Sequence, residues 1–156
     1  MLKKILTISL LICLCMSCEQ NITSTIPNAP VRFTINLDSS RDKELNAPLS
    51  FLEYPLPPFL DEERFGYAGV LVVNGYGDAI NSINLFAYDL ACPNEAQSNV
   101  KIKPDPDKTG FATCPKCGAV YYIATGGAPL SGSKYWLRRY NVTSVQGSER
   151  RFRVTN

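Results

Sequence analysis

"GFATCPKCGAVYYIATGG", residues 110–127, is the stretch on which the reading of this chain turns. Cys114 and Cys117 stand three apart around Pro115, Gly118 follows at once, and Val120, Tyr121, Tyr122 and Ile123 are strand formers. In a Cys-Pro-x-Cys-Gly turn the two sulfurs converge on one side. The proline stiffens the bend, and the glycine admits the positive φ that aims backbone N–H groups at a thiolate. Zinc ribbons and iron–sulfur loops both use such knuckles. A thioredoxin-like redox pair has the same spacing, but there the first cysteine opens a helix that lowers its pKa. Strand formers follow here, which speaks against catalytic dithiol chemistry. A zinc ribbon would need a second thiol pair, and near the core there is only Cys92, in "LACPNE" (90–95), with Asn94 two residues on.

Working outward, turn chemistry cuts the chain into short strands. "VRFTINLD" (31–38) alternates Val31, Phe33, Ile35 and Leu37 with polar residues, the period-two pattern of a half-buried strand. Further strands are expected at 69–75, 83–90, 100–103, 110–114, 119–125, 134–142 and 150–156. "NGYGD", "PDPDKTG", "GGAPLSG" and "VQGSE" read as the turns between them. Residues 39–61 carry Pro48, Pro55, Pro57 and Pro58 among Phe51, Leu52, Tyr54 and Phe59, and read as an irregular excursion whose aromatics pack on the main sheets. No segment keeps an amphipathic helical pattern for three turns. The fold class is therefore all-β, with small antiparallel sheets or a partly open barrel.

The start, "MLKKILTISLLICLCMSCEQ", is a targeting segment. Lys3 and Lys4 precede an apolar run from Ile5 to Met16 that is too short to span a bilayer and suits a signal-peptide core. Small Ser17 before Cys18 resembles a bacterial lipobox. Residues 1–17 are then a lipoprotein-type signal peptide, and Cys18 is lipidated as the first mature residue. Residues 18–30, polar with Pro27 and Pro30, suit a tether, and 31–156 form one domain. The implied location is the bacterial cell envelope, lipid-anchored, on the periplasmic or cell-surface side, with the membrane as a partner through Cys18. Removing Lys3 and Lys4 leaves basic and acidic residues equal in number, so nothing supports nucleic-acid binding. An arginine-rich end (Arg138, Arg139, Arg150, Arg151, Arg153) reads as the solvated face of edge strands.

The chain has no histidine. The commonest general base and the commonest metal ligand are both missing, and no nucleophile–base pair stands out. An independent enzyme is not expected. If Cys18 carries lipid, the mature thiols are Cys92, Cys114 and Cys117, an odd number in a compartment that permits disulfides.

The order of elements resembles the Rieske iron–sulfur domain. Asp89-Leu90-Ala91-Cys92-Pro93-Asn94 is similar to its first ligand loop and Cys114-Pro115-Lys116-Cys117-Gly118-Ala119 to its second. Tyr121, Tyr122 and Ile123 fit the strand after that loop, Thr125-Gly126 its turn, and Leu137-Arg138-Arg139-Tyr140 the closing strand. The resemblance covers about 66–156 and is strongest over 86–142. It implies two ligand loops at one tip, with Cys92 and Cys114 matching the family's cysteines. Asn94 and Cys117 stand where its histidines would be, and the shielding loop reads Ser131-Gly132 without proline. Three states of the site follow from the resemblance. The scaffold has lost its cluster and carries a disulfide, Cys92–Cys114, as a binding or structural module of an envelope complex. Alternatively Cys92, Cys114 and Cys117, with Asn94 or water, hold an atypical, low-potential [2Fe–2S] cluster for ferredoxin-like electron transfer. In the third state the same residues hold Zn²⁺.

Other candidates are weak. "NGYGD" has no following helix to bind phosphate, Asp61, Glu62 and Glu63 read as a solvated loop, and Asp105 with Asp107 lacks the rest of a calcium loop.

Overall fold

The computed structural model describes residues 24–58, 60–77 and 83–156; the leader and Cys18 lie outside them. The described chain is all-β, as expected, and folds as two antiparallel sheets. In chain order the strands are β1 (Val31–Asn36), β2 (Phe51–Tyr54), β3 (Arg64–Phe65), β4 (Val70–Asn74), β5 (Leu85–Asp89) and β6 (Lys103–Pro104). They continue with β7 (Phe111–Thr113), β8 (Val120–Tyr122), β9 (Ala128–Ser131), β10 (Arg139–Ser144) and β11 (Arg151–Thr155). Seven of them, ordered β2-β4-β5-β10-β11-β1-β3, curl into a nearly closed barrel, and β6-β7-β8-β9 form the smaller sheet. The chain leaves the barrel after β5, builds the small sheet, and returns as β10 beside β5, with Tyr140 opposite Ala87. Among the described residues no helix is long and apolar enough to cross a membrane.

Strand β4 shows why the two sheets stay together. Its residues alternate between two cores: Val70 and Val72 point into the barrel with Phe33, Ile35, Phe65 and Val154, while Leu71 and Val73 point out toward the small sheet with Tyr88, Tyr121 and Ile123. Both faces are therefore covered, and β4 and β5 are buried throughout, which is why Val70–Val73 and Leu85–Tyr88 are apolar without alternation. Each fully buried aliphatic or aromatic side chain contributes about 1.5–3 kcal/mol relative to exposure. The outer core also contains Cys92 and Cys114, so the thiol site is built against the seam between sheets.

Three readings of the sequence change. Within the proline-bearing excursion, Phe51–Tyr54 is a regular edge strand paired with β4 over Phe51↔Val73 to Tyr54↔Val70. The turn read at "GGAPLSG" contains β9, in which Pro129 is tolerated because β9 is an edge. Glu63 is not solvated: it is buried, and Arg41 Nη1 donates to its Oε1 at 2.9 Å. In the stretch expected as a tether, residues 24–30 lie against the domain, with Ile26 2 % exposed in the outer core.

Candidate metal centre

Two loops at one tip of the molecule carry the site. The first leaves β5 at Leu90, and its turn is closed on Cys92, whose carbonyl accepts from the N–H groups of Glu95 (3.1 Å) and Ala96 (2.9 Å). The second joins β7 to β8. There the Gly118 N–H donates to the Cys114 carbonyl and the Cys114 N–H to the Ala119 carbonyl, both at 2.9 Å. Gly118 has φ +71, the left-handed conformation expected of it from the Cys-x-x-Cys-Gly pattern. The loops are clipped together by Lys116 Nζ and Glu95, 2.6 Å apart.

This geometry brings Cys92, Cys114 and Cys117 together. Their three Sγ atoms all lie within 4.8 Å of one another, and Cys92 and Cys117 stand 3.6 Å apart. Cys92 and Cys114 are buried and Cys117 is exposed. The expected Cys92–Cys114 disulfide is not formed: all three are free thiols. The sulfurs face a common point from two loops, at non-bonded separations well beyond the roughly 2 Å of an S–S bond. Such a group can hold a metal ion.

Asn94 is at the site too, in the outer role of a hydrogen-bonding amide. Its Nδ2 donates to Cys117 Sγ at 3.4 Å and to the Gly132 carbonyl at 2.7 Å, while its Oδ1 accepts from the Ser133 hydroxyl at 2.7 Å. Tyr121 Oη lies 3.8 Å from Cys92 Sγ. A third loop, after β9, thus closes over the first two. It packs so tightly that a Cβ on Gly132 would sit 3.0 Å from the Ala119 Cα.

The thiols differ in acidity. Burial pushes the Cys92 thiol up to about 12, reinforced by the neighbouring Cys114 and Cys117 sulfurs. For Cys117 burial also opposes ionisation. There, however, donors from the Ala119 N–H, the Asn94 amide and the other two thiols bring it below the ordinary value. Exposed Cys117 is therefore more acidic than buried Cys92.

One supporting residue was not singled out from the sequence: Ser133 lay in a segment read as turn and no spacing rule marks it, whereas its neighbour Gly132 belongs to the Ser131-Gly132 stretch that the resemblance marked as the shielding loop. Asp89 did carry a signal, a carboxylate inside the apolar run "LFAYDL". It is 0 % exposed, and its oxygens accept from the N–H groups of Tyr67 (2.8 Å) and Ala91 (2.8 Å) and from the Tyr140 hydroxyl (2.7 Å). Asp89 thereby fixes the start of the first thiol loop to the barrel.

No protein-family model matches the chain, and no curated protein does. A nearly closed β-barrel with a small second sheet and three clustered cysteines is compatible with the Rieske-like architecture.

Proposed function

We propose that this chain is a lipid-anchored, Rieske-like module of a bacterial envelope, whose two-loop tip is a thiolate metal centre. The observation that carries the reading is the meeting of Cys92 from one loop with Cys114 and Cys117 from another, all free and within 4.8 Å. An ion there cross-links the two loops, and its binding energy becomes folding energy for the tip. The role this supports is a binding or structural module that presents a metal-stiffened tip to an envelope partner. The leader, with Lys3, Lys4, the apolar core and Ser17-Cys18, supports the anchoring half of the reading.

Each half has its own test. Metal content and thiol titration of anaerobically purified protein, as processed by the expressing cell, address the tip. Bound metal, with three thiols becoming reactive only on chelation, is the expected result. Metal-free protein with one reactive thiol and an intact disulfide would refute the metal centre. Incorporation of labelled fatty acid, lost in Cys18→Ser, is expected for the anchor; equal labelling of both proteins, or none, would refute it.

A further inference from the structure

We infer that the tip takes one metal ion rather than a [2Fe–2S] cluster, bound by Cys92, Cys114 and Cys117, with its fourth coordination position open to a small exogenous ligand. The inference rests on the metal-centre reading above and specifies what that centre accepts.

Sulfur spacing decides the nuclearity. With a metal–sulfur distance of about 2.3 Å, neighbouring corners of a tetrahedron stand about 3.8 Å apart. Cys92 and Cys117 are 3.6 Å apart, and no sulfur pair of the group exceeds 4.8 Å. A two-iron cluster shares its terminal ligands between two irons bridged by sulfide, so ligands on different irons stand farther apart than ligands on one. In the arrangement the Rieske resemblance implies, Cys92 and Cys114 share one iron, while Asn94 and Cys117 occupy the imidazole positions on the other. The contact between Cys92 and Cys117 crosses that division. It closes the space that the bridging sulfides and second iron would need.

The donors point the same way. A second iron would lean on Asn94, a neutral amide whose Nδ2 already donates to Cys117 Sγ and the Gly132 carbonyl and whose Oδ1 is taken by Ser133. Among the described residues no carboxylate joins the three sulfurs, and the chain has no histidine. The nearby Glu95 is engaged by Lys116. Three corners are thus thiolate, and the fourth falls to solvent on the side where Cys117 is exposed. Three thiolates with an open corner suit a borderline-soft cation of the zinc class. The exogenous ligand is then water, or a small thiol or anion that displaces it.

Cobalt(II) is the probe, because its visible bands report tetrahedral geometry and its near-ultraviolet charge transfer reports thiolate ligation. The chain is purified anaerobically as the cell processes it, stripped with chelator and titrated with Co²⁺, then with Zn²⁺ in competition. Expected are one ion per chain, tetrahedral bands, and a shift of those bands on adding a small thiol. Cys117→Ser should weaken Zn²⁺ binding more than about 100-fold, beyond the 10–100-fold typical of outer-shell changes, and Asn94→Ala should fall within that range. Cys117 is exposed, so its substitution leaves the core intact and remains informative if Cys92→Ser or Cys114→Ser fails to fold. Two irons and two acid-labile sulfides per chain in the protein as isolated would overturn the single-ion inference while keeping a metal centre. Bands unmoved by every added ligand would overturn the open corner. Failure to bind Co²⁺, Zn²⁺ or iron with all three thiols reduced would overturn the underlying reading itself.

Discussion

Asp89 should be the residue on which both the barrel and the thiol tip most depend. Tyr140→Phe removes one donor and leaves the carboxylate with the Tyr67, Ala68 and Ala91 N–H groups. A hydrogen bond to a charged group is worth about 1.5–3 kcal/mol, and that is the expected loss. Asp89→Ala is worse, because it strands three backbone N–H groups, those of Tyr67, Ala68 and Ala91, and a tyrosine hydroxyl around a fully buried position. Each unsatisfied donor costs about 1–3 kcal/mol before relaxation; the net expected is about 3–5 kcal/mol, as for removing one partner from a buried charged pair. Urea unfolding of chelated protein, followed by fluorescence of the single tryptophan, Trp136, measures this without interference from metal. With a slope of about 1–3 kcal/mol per molar, Tyr140→Phe should lower the midpoint by about 1 M and Asp89→Ala by about twice that. The double mutant should fall short of the sum by more than about 0.5 kcal/mol, since both changes act on one network. A midpoint for Asp89→Ala within about 0.3 M of wild type would refute the idea that this carboxylate bolts the first loop to the barrel.

The other predictions concern acidity and backbone. In chelated, reduced protein, alkylation should reach Cys117 first and at lower pH than a free cysteine, with Cys92 protected by burial; peptide mapping that finds Cys92 labelled first would contradict the site's electrostatics. Burial raises Cys92, Tyr54, Tyr88 and Tyr140 above their ordinary values, so each is protonated in the fold after its unfolded counterpart has ionised. Their contribution is complete below the unfolded pKa and fades as pH climbs toward the folded one. Metal-free stability should therefore fall above pH ~9 and more steeply above ~10, by about 1.4 kcal/mol per pH unit for each group; flat stability from pH 8 to 11 would sink this. Gly118→Ala, where a Cβ meets open space but φ is +71, should cost about 1–2 kcal/mol from backbone strain alone. Gly132→Ala should cost more, and also weaken metal binding, because its Cβ presses on Ala119 of the second thiol loop.

The strands that build the tip were legible because their chemistry is local. Turn residues bracket "GFATC" and "AVYYIAT", and the structure has β7 and β8 inside them. β1, β4, β5 and β11 were legible for the same reason. What escaped were edges. Phe51–Tyr54 hides among prolines because it pairs on one side, against β4, and buries Tyr54 alone. The stretch 100–103 was read as one strand, but it keeps only an isolated bridge, Ala91↔Lys101, before the two-residue β6. In "KYWLRRYNV" the ladder begins only at Arg139, because the segment before it serves the third loop, where Ser133 accepts from the Tyr135 N–H. The three thiols could be named from type and spacing. Their meeting at one tip was legible only through the resemblance of the two loops, and the close approach of Cys92 and Cys117 was not legible at all, because residues 25 apart are joined there by long-range packing that no window of sequence contains.

The tip is held from a third direction that ties the two halves of the proposed function together. Thr25 Oγ1 donates to the Pro93 carbonyl, beside Cys92, and Ile26 is buried in the core that holds Cys92 and Cys114. Arg138 Nη1 donates to the Ile26 carbonyl at 3.0 Å and its Nη2 to Asn28 Oδ1 at 2.7 Å, and the Asn156 amide donates to the Ala29 carbonyl at 2.9 Å. The chain just before β1 is thus clamped by Arg138, immediately ahead of β10, and by Asn156, and it runs past the first thiol loop. Seven residue-to-residue steps separate Cys18 from Thr25. Fully extended they reach at most about 25 Å, at 3.3–3.6 Å per residue. Were Cys18 lipidated as proposed, the thiol loops would be held within about that distance of the membrane surface. On the proposed function, any loosening of the Pro93 loop would also loosen the segment through which the anchor would join the domain.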